Sequence, residues 1–346
     1  MFKRVLALCL AIILVLCVAG CTDHQSDEKS KDSASRVSSG NSSGNTDSTN
    51  SNNGTSSNIA DKSKVSPILY KATDSNGNEV YLFGSIHIGQ EEMYPLPQYV
   101  MNAYEASDVL AVECDIVAFE ENQSDAQNLF MYFVYTDGTT IEDHIDSKLY
   151  SQAVEILEDN DYYGMAMDYY NAYLWSDIIN ALLSEKSRYD MDYGVDRFFI
   201  HKAYDDKKPI DEVESVEFQY KMTASFSEGL QELLLQSAVE SYQLDNYDEQ
   251  VKELLSAWCD GDEKELVSLA RTDYNNILLT SEQKKLLKEY DNELIVKRNK
   301  TMTDYAEEVL KSGDTVFICV GAAHVVGSDG MAQQLKNRGY KVERVK

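Results

Sequence analysis

The chain has 346 residues, 31 of them Lys or Arg and 59 Asp or Glu, for a formal net charge of −28. That balance excludes nucleic-acid recognition through a basic surface, because phosphates need cationic partners; it also disfavours direct adsorption to anionic headgroups. Beyond the first 21 residues only Cys114, Cys259 and Cys319 remain, an odd and widely spaced set that offers neither a disulfide framework nor a Cys-x-x-Cys metal knuckle.

The N-terminus reads "MFKRVLALCLAIILVLCVAGC", a short basic start followed by an apolar run from Val5 to Ala19. The run is shorter than the ~20 residues a spanning helix needs, and its flanks fit a secretory signal. "VAGC" resembles a bacterial lipobox, so residues 1–20 are expected to be a lipoprotein signal peptide, with Cys21 lipidated. Stable anchoring then needs more than one fatty acyl chain, palmitate among the usual ones. Residues 21–64 are rich in Ser and Asn and nearly free of large apolar side chains. Such a segment cannot offset its ordering entropy, and it reads as a disordered tether. The expected location is the extracytoplasmic face of the cell membrane, with residues 65–346 forming a single domain.

Within that domain, "ILYKATDSNGNEVYLFG" predicts a hairpin turning at Asn and Gly, its second strand ending at Gly84. "LPQYVMNAYEAS" has helical spacing, and "DVLAVECD" predicts a short buried strand carrying Glu113 and Asp115. From about Phe119 to Arg188 the pattern is helical, with Ser147 as a cap for "SKLYSQAVEILEDN". "GVDRFFIHKAYDD" predicts a helix and "KPIDEVE" a strand; residues 217–310 are helical again, and the end is strand, helix, strand. The expected fold is α/β, bordering on α+β: a central sheet built from N- and C-terminal strands, with a large helical middle region.

The only internal echo is a strand followed by Gly-x-x-His. It occurs in "YLFGSIHIG" (81–89) and again in "VFICVGAAHVVG" (316–327). Ligands in sheet-based α/β folds bind beyond the carboxyl ends of strands, which is where His87, His324 and Glu113 are expected to lie. Two imidazoles and a carboxylate make either a metal site with open positions or a metal-free acid–base set. His24, His144 and His201 read as structural or solvated, and Cys319 as packing. Asp115 shares the face of Glu113 if the strand continues, making it a reserve carboxylate. The tyrosines of "DYYGMAMDYYNAYLW" read as a helical core face rather than a peptide groove.

These blocks, together with "KRNKTMTDYAEEVL", occur in the order seen in the TraB/PrgY/GumN family, which includes the animal Tiki proteases, and the chain resembles it over essentially residues 67–346. The family's two Gly-x-x-His motifs and its glutamate fall on Gly84/His87, Gly321/His324 and Glu113. Its Arg-Asn pair falls on Arg298-Asn299, its Gly-Val-Asp block on Gly194/Asp196, and its Leu-Glu step on Val213-Glu214. A Pro-Trp-like step is not evident around "NAYLW". The Tiki branch implies a metal-dependent peptidase: His87, Glu113 and His324 would hold a divalent ion (Zn, Mn or Co), with Arg298 stabilising charge on the scissile carbonyl and Asp196 and Glu214 orienting the imidazoles. The expected partner is a peptide or protein substrate. Rival expectations are a non-enzymatic peptide or haem binder, and a metal-free His/Glu esterase.

Overall fold

Two runs from opposite ends of the chain form the centre of one sheet in the computed structural model, which describes residues 65–271, 274–275 and 278–346. The signal peptide, Cys21 and the tether expected from the sequence lie outside the described residues. The strands are β1 (Leu69–Thr73), β2 (Glu79–Ser85), β3 (Val109–Val112), β4 (Ile210–Glu212), β5 (Val316–Gly321) and β6 (Lys341–Arg344). They lie in the order β4-β3-β5-β2-β1-β6, an open mixed sheet. β1 and β2 are the predicted hairpin: Asp74 accepts from the backbone N–H groups of Asn76 and Asn78, both at 2.8 Å. Gly77 supplies the φ of +91° that a side chain would disfavour.

β2, β5 and β3 are adjacent and parallel. β5 is buried along "VFICV", as expected of a strand covered on both faces. The aromatic rings of Phe83, Phe199 and Phe317 meet with centroids 4.9–5.5 Å apart and fix the helix Val195–Asp206 against the sheet. Gly84 pairs with Val320, and Ser85 with Gly321. The two Gly-x-x-His motifs are therefore neighbours, offset by one residue.

Apart from β4, helices fill the chain between β3 and β5, as the pattern predicts. Asp146, not Ser147, caps the helix Ser147–Asp159, because its carboxylate reaches the N–H groups of Lys148 and Leu149. The long C-terminal helix is Ser281–Asp291, a π-helical turn Asn292–Val296, then Lys297–Ser312. Its buried pairs recur every four residues: Leu286 and Leu287, Tyr290 and Asp291, Leu294 and Ile295, Arg298 and Asn299, Met302 and Thr303. At 3.6 residues per turn such a stripe drifts by about 40° per step. The wider π turn takes up part of that drift, so Arg298 and Asn299 both face the carboxyl end of the sheet.

Candidate active site

β2, β5 and β3 end at the same edge, and the residues just past them converge. After Ser85 the chain runs against the start of the helix Val195–Asp206, where Val195 N–H donates to Ile86 O at 2.8 Å. A Cβ at Gly194 would lie 2.7 Å from His87 O, so only glycine permits this approach. Asp196, in the helix's first turn, thereby reaches His87 Nδ1 with Oδ2 at 2.7 Å. After β5, the short helix Ala322–Val325 crosses Gly84 so closely that a Cβ there would stand 3.0 Å from Ala322 Cα. His324 sits in this helix, its Nδ1 2.7 Å from Asn299 Oδ1. Glu113 follows β3, and its backbone carbonyl accepts from Glu214 N–H at 2.8 Å. Its Oε1 takes the Gly321 N–H at 2.8 Å and lies 3.8 Å from His324 Nε2. A Cβ built on Gly321 would stand 3.3 Å from Glu113 Oε1, 3.6 Å from His324 Cδ2 and 3.9 Å from His87 Nε2. The three predicted groups thus surround one spot, which a side chain at position 321 would fill.

Arg298 lies beside this pit, its side chain 2 % exposed. It donates to Glu113 Oε2 at 2.5 Å and to both oxygens of Glu214 at 2.8–3.0 Å. Gln219 Nε2 donates to both carboxylates, at 3.3 and 3.0 Å. Burial alone would raise the proton affinity of Glu113, but Arg298 and the two imidazoles hold its carboxyl far below the usual range. The two histidines are pushed apart. Burial opposes a charge on His87, yet the Asp196 carboxylate outweighs it and lifts its pKa to about 9. Burial and the Arg298 charge lower His324 to about 3. Environments that split two similar groups this way assign them different protonation states and different roles. His87 presents an Nε2–H donor, and His324 a bare Nε2 acceptor.

The structure brings His87, Glu113, His324 and Arg298 together, with Asp196 on His87. Glu214 holds Arg298 rather than an imidazole, and the residue that orients His324 is Asn299. The predicted reserve carboxylate Asp115 is elsewhere, because β3 stops at Val112. Asp115 instead caps the helix Ile116–Glu121 through Ala118 N–H and accepts from the Tyr204 hydroxyl. His144 is held by Thr139 and Glu228 and stacked on Tyr135; His201 is exposed on its helix. Of the tyrosine-rich stretch, Tyr173 and Trp175 are core, while Met165 and Tyr169 are exposed. The roles of Asn299 and Gln219 were not singled out from the sequence. For the first, the available signals were the Arg-Asn pair carried by the resemblance and the period-four stripe running into it.

A divalent ion meets a mixed reception. Both Nδ1 atoms are tied to acceptors, the arrangement that aims a metal-binding Nε2, and two ligands each about 2.1 Å from an ion can be 3.8 Å apart. Against it, Glu113 is already neutralised by Arg298, and His87 carries a proton at neutral pH. Among the described residues no group of three or more His, Cys, Asp or Glu is arranged to hold a metal ion. Nor is any helix among them long and apolar enough to cross a membrane.

Compared with known proteins, residues 68–344 match the TraB/PrgY/gumN family model. No curated protein and no solved structure shows significant similarity to the chain.

Proposed function

The chain belongs to the TraB/PrgY/gumN family, and from that premise we propose that it is a hydrolase of peptide bonds, working at the pit between His87 and His324. The observation that carries this reading is the fixing of both Nδ1 atoms, by Asp196 and Asn299, beside one carboxylate. His324 Nε2 and Glu113 Oε1 are two acceptors 3.8 Å apart. They cannot bond each other, but one water can donate to both. Water so held keeps its lone pairs for a carbonyl carbon placed over Gly321. As the water adds, its proton passes to the Glu113–His324 pair, and the carbonyl oxygen gains negative charge. His87 Nε2–H lies across the spot to stabilise that charge and then to protonate the departing amine. Arg298 keeps Glu113 ionised and in place.

A second reading has a divalent ion on the imidazole Nε2 atoms, favoured by the same Nδ1 anchoring; bound there, it would lower the pKa of a water and polarise the carbonyl. The N-terminal segment supports a tethered site: with Cys21 lipidated and residues 21–64 as linker, the domain 65–346 would work outside the cytoplasmic membrane.

The test is cleavage of a mixed peptide library, followed by mass spectrometry, with wild type, His87→Gln and His324→Gln, each with and without chelator. Elemental mass spectrometry of the same samples gives metal content. Cleavage lost in both variants but indifferent to chelator is the expected result. Near-stoichiometric metal, with activity lost on chelation, would select the second reading. Peptides left intact throughout would refute the hydrolase.

A further inference from the structure

Two cavities meet at the pit, sharing Ser85, His87, Glu113 and Arg298. Beyond these they differ. In the second, of about 40 Å³, every other lining side chain except that of His324 is apolar. Its walls include Leu254, Trp258, Leu266, Ala270 and Ile295, all under 10 % exposed. Trp258 presents only its ring, because its Nε1–H is spent on Gly84 O at 2.8 Å. The volume is far below the roughly 300 Å³ at which pockets for whole ligands begin, so it seats one side chain. The first cavity, about 60 Å³, is mixed: Ile116, Phe119 and Val216 line it with Gln219 and the Glu120–Arg197 pair. At the junction Ser85 is 2 % exposed, and its hydroxyl, beside the Cys319 thiol, has no nitrogen or oxygen partner. A buried hydroxyl in that state is relieved by a ligand that bonds it.

We infer that the site takes an extended peptide with an aliphatic residue on one side of the reacting carbonyl, seated between Leu254, Trp258 and Ile295. On the other side it takes a residue with an apolar stem and a polar end, seated against Phe119. The peptide backbone bonds Ser85 at the crossing. The inference rests on the hydrolase reading only for the word reacting. A carboxylate carried past the shared His87 and Arg298, among Leu254, Leu266 and Ile295, would be buried without a partner. Replacing the aliphatic residue by Asp should therefore weaken capture by about 10- to 100-fold, whereas Glu or Gln on the other side should be accepted within a few-fold.

The experiment uses the full chain and paired peptides that carry a diazirine-bearing leucine on one side or the other of a central bond. Photolabelled residues are mapped by mass spectrometry, and Asp-, Gln- and Leu-substituted peptides compete. Label on the helices Tyr247–Asp260 and Glu263–Ala270 from one side only, with Asp excluded on that side, is the expected result. Ala270→Trp, which fills the second cavity, should abolish that label and weaken capture of the whole peptide, while the Phe119-side label that remains at raised peptide concentration keeps its position. Label scattered elsewhere, or equal competition by Asp on both sides, would overturn the inference. Specific label without cleavage supports the pocket and refutes the hydrolase; cleavage without a side preference does the reverse.

Discussion

Asp196→Asn tests the charge on His87 while keeping its hydrogen bond, since the amide oxygen still accepts from Nδ1–H. In the wild type the His87 pKa rises from 6.5 to about 9, equivalent to about 3.4 kcal/mol. A quarter of the His87 side chain is exposed, so solvent screening trims this to about 2–3 kcal/mol. The group is raised above its unfolded value. Its contribution is therefore fully present below pH 6.5, fades as pH climbs, and is gone above about 9. Denaturation of wild type and Asp196→Asn by urea should show a stability gap about 2–3 kcal/mol wider at pH 6 than at pH 10. Histidine ring NMR should move the His87 titration well down from near 9 in the variant, because burial still opposes the charge and the Asp196 carboxylate is the largest influence that raises it. A gap that is equal at the two pH values, or wider at pH 10, would refute the assignment of a charged His87.

Gly84→Ala should lose about 1–3 kcal/mol in urea denaturation, because its Cβ meets the Ala322 backbone, and should lower activity through the displaced His324. Arg298→Met should lose about 3–5 kcal/mol by leaving two buried carboxylates unpaired; adding Glu113→Gln and Glu214→Gln should recover much of the folding stability but none of the activity. Asn299→Leu should lower kcat at least about tenfold with little change in KM, and a KM effect alone would contradict its positioning of His324. If zinc binds the two imidazoles, it must displace the His87 proton. Calorimetry should then show affinity rising about tenfold per pH unit from 6.5 towards 9, and a flat profile would remove His87 from the ligand set.

The paired motifs were legible because the features involved are local: an apolar run, a glycine, an imidazole at fixed offset. Their meeting follows from strands at both ends of the domain sharing a sheet, which the placement of strand-like runs around a helical middle suggests. What sequence pattern misplaced depends on where a strand stops. Asp115 looked like a partner of Glu113 under strand alternation, but β3 ends at Val112 and the next turn makes it a helix cap. Ser147 and Asp146 are both good caps, and only the backbone at the turn decides between them. Arg298 was expected at the carbonyl, yet its donors are taken up mainly by Glu113 and Glu214, because a buried guanidinium must be neutralised before it can do anything else.

The pairing of β2 with β5 also fixes when the pit can exist. β2 leaves the ribosome before its central neighbour β5 and His324, with the whole helical middle region made in between. Until β5 has been made, the nascent hairpin carries one edge with no parallel partner, and non-local pairings of this kind are slow to close. No truncated product ending before β5 can hold both histidines. A nascent chain therefore holds no assembled pit until β5 and the short helix after it have been made.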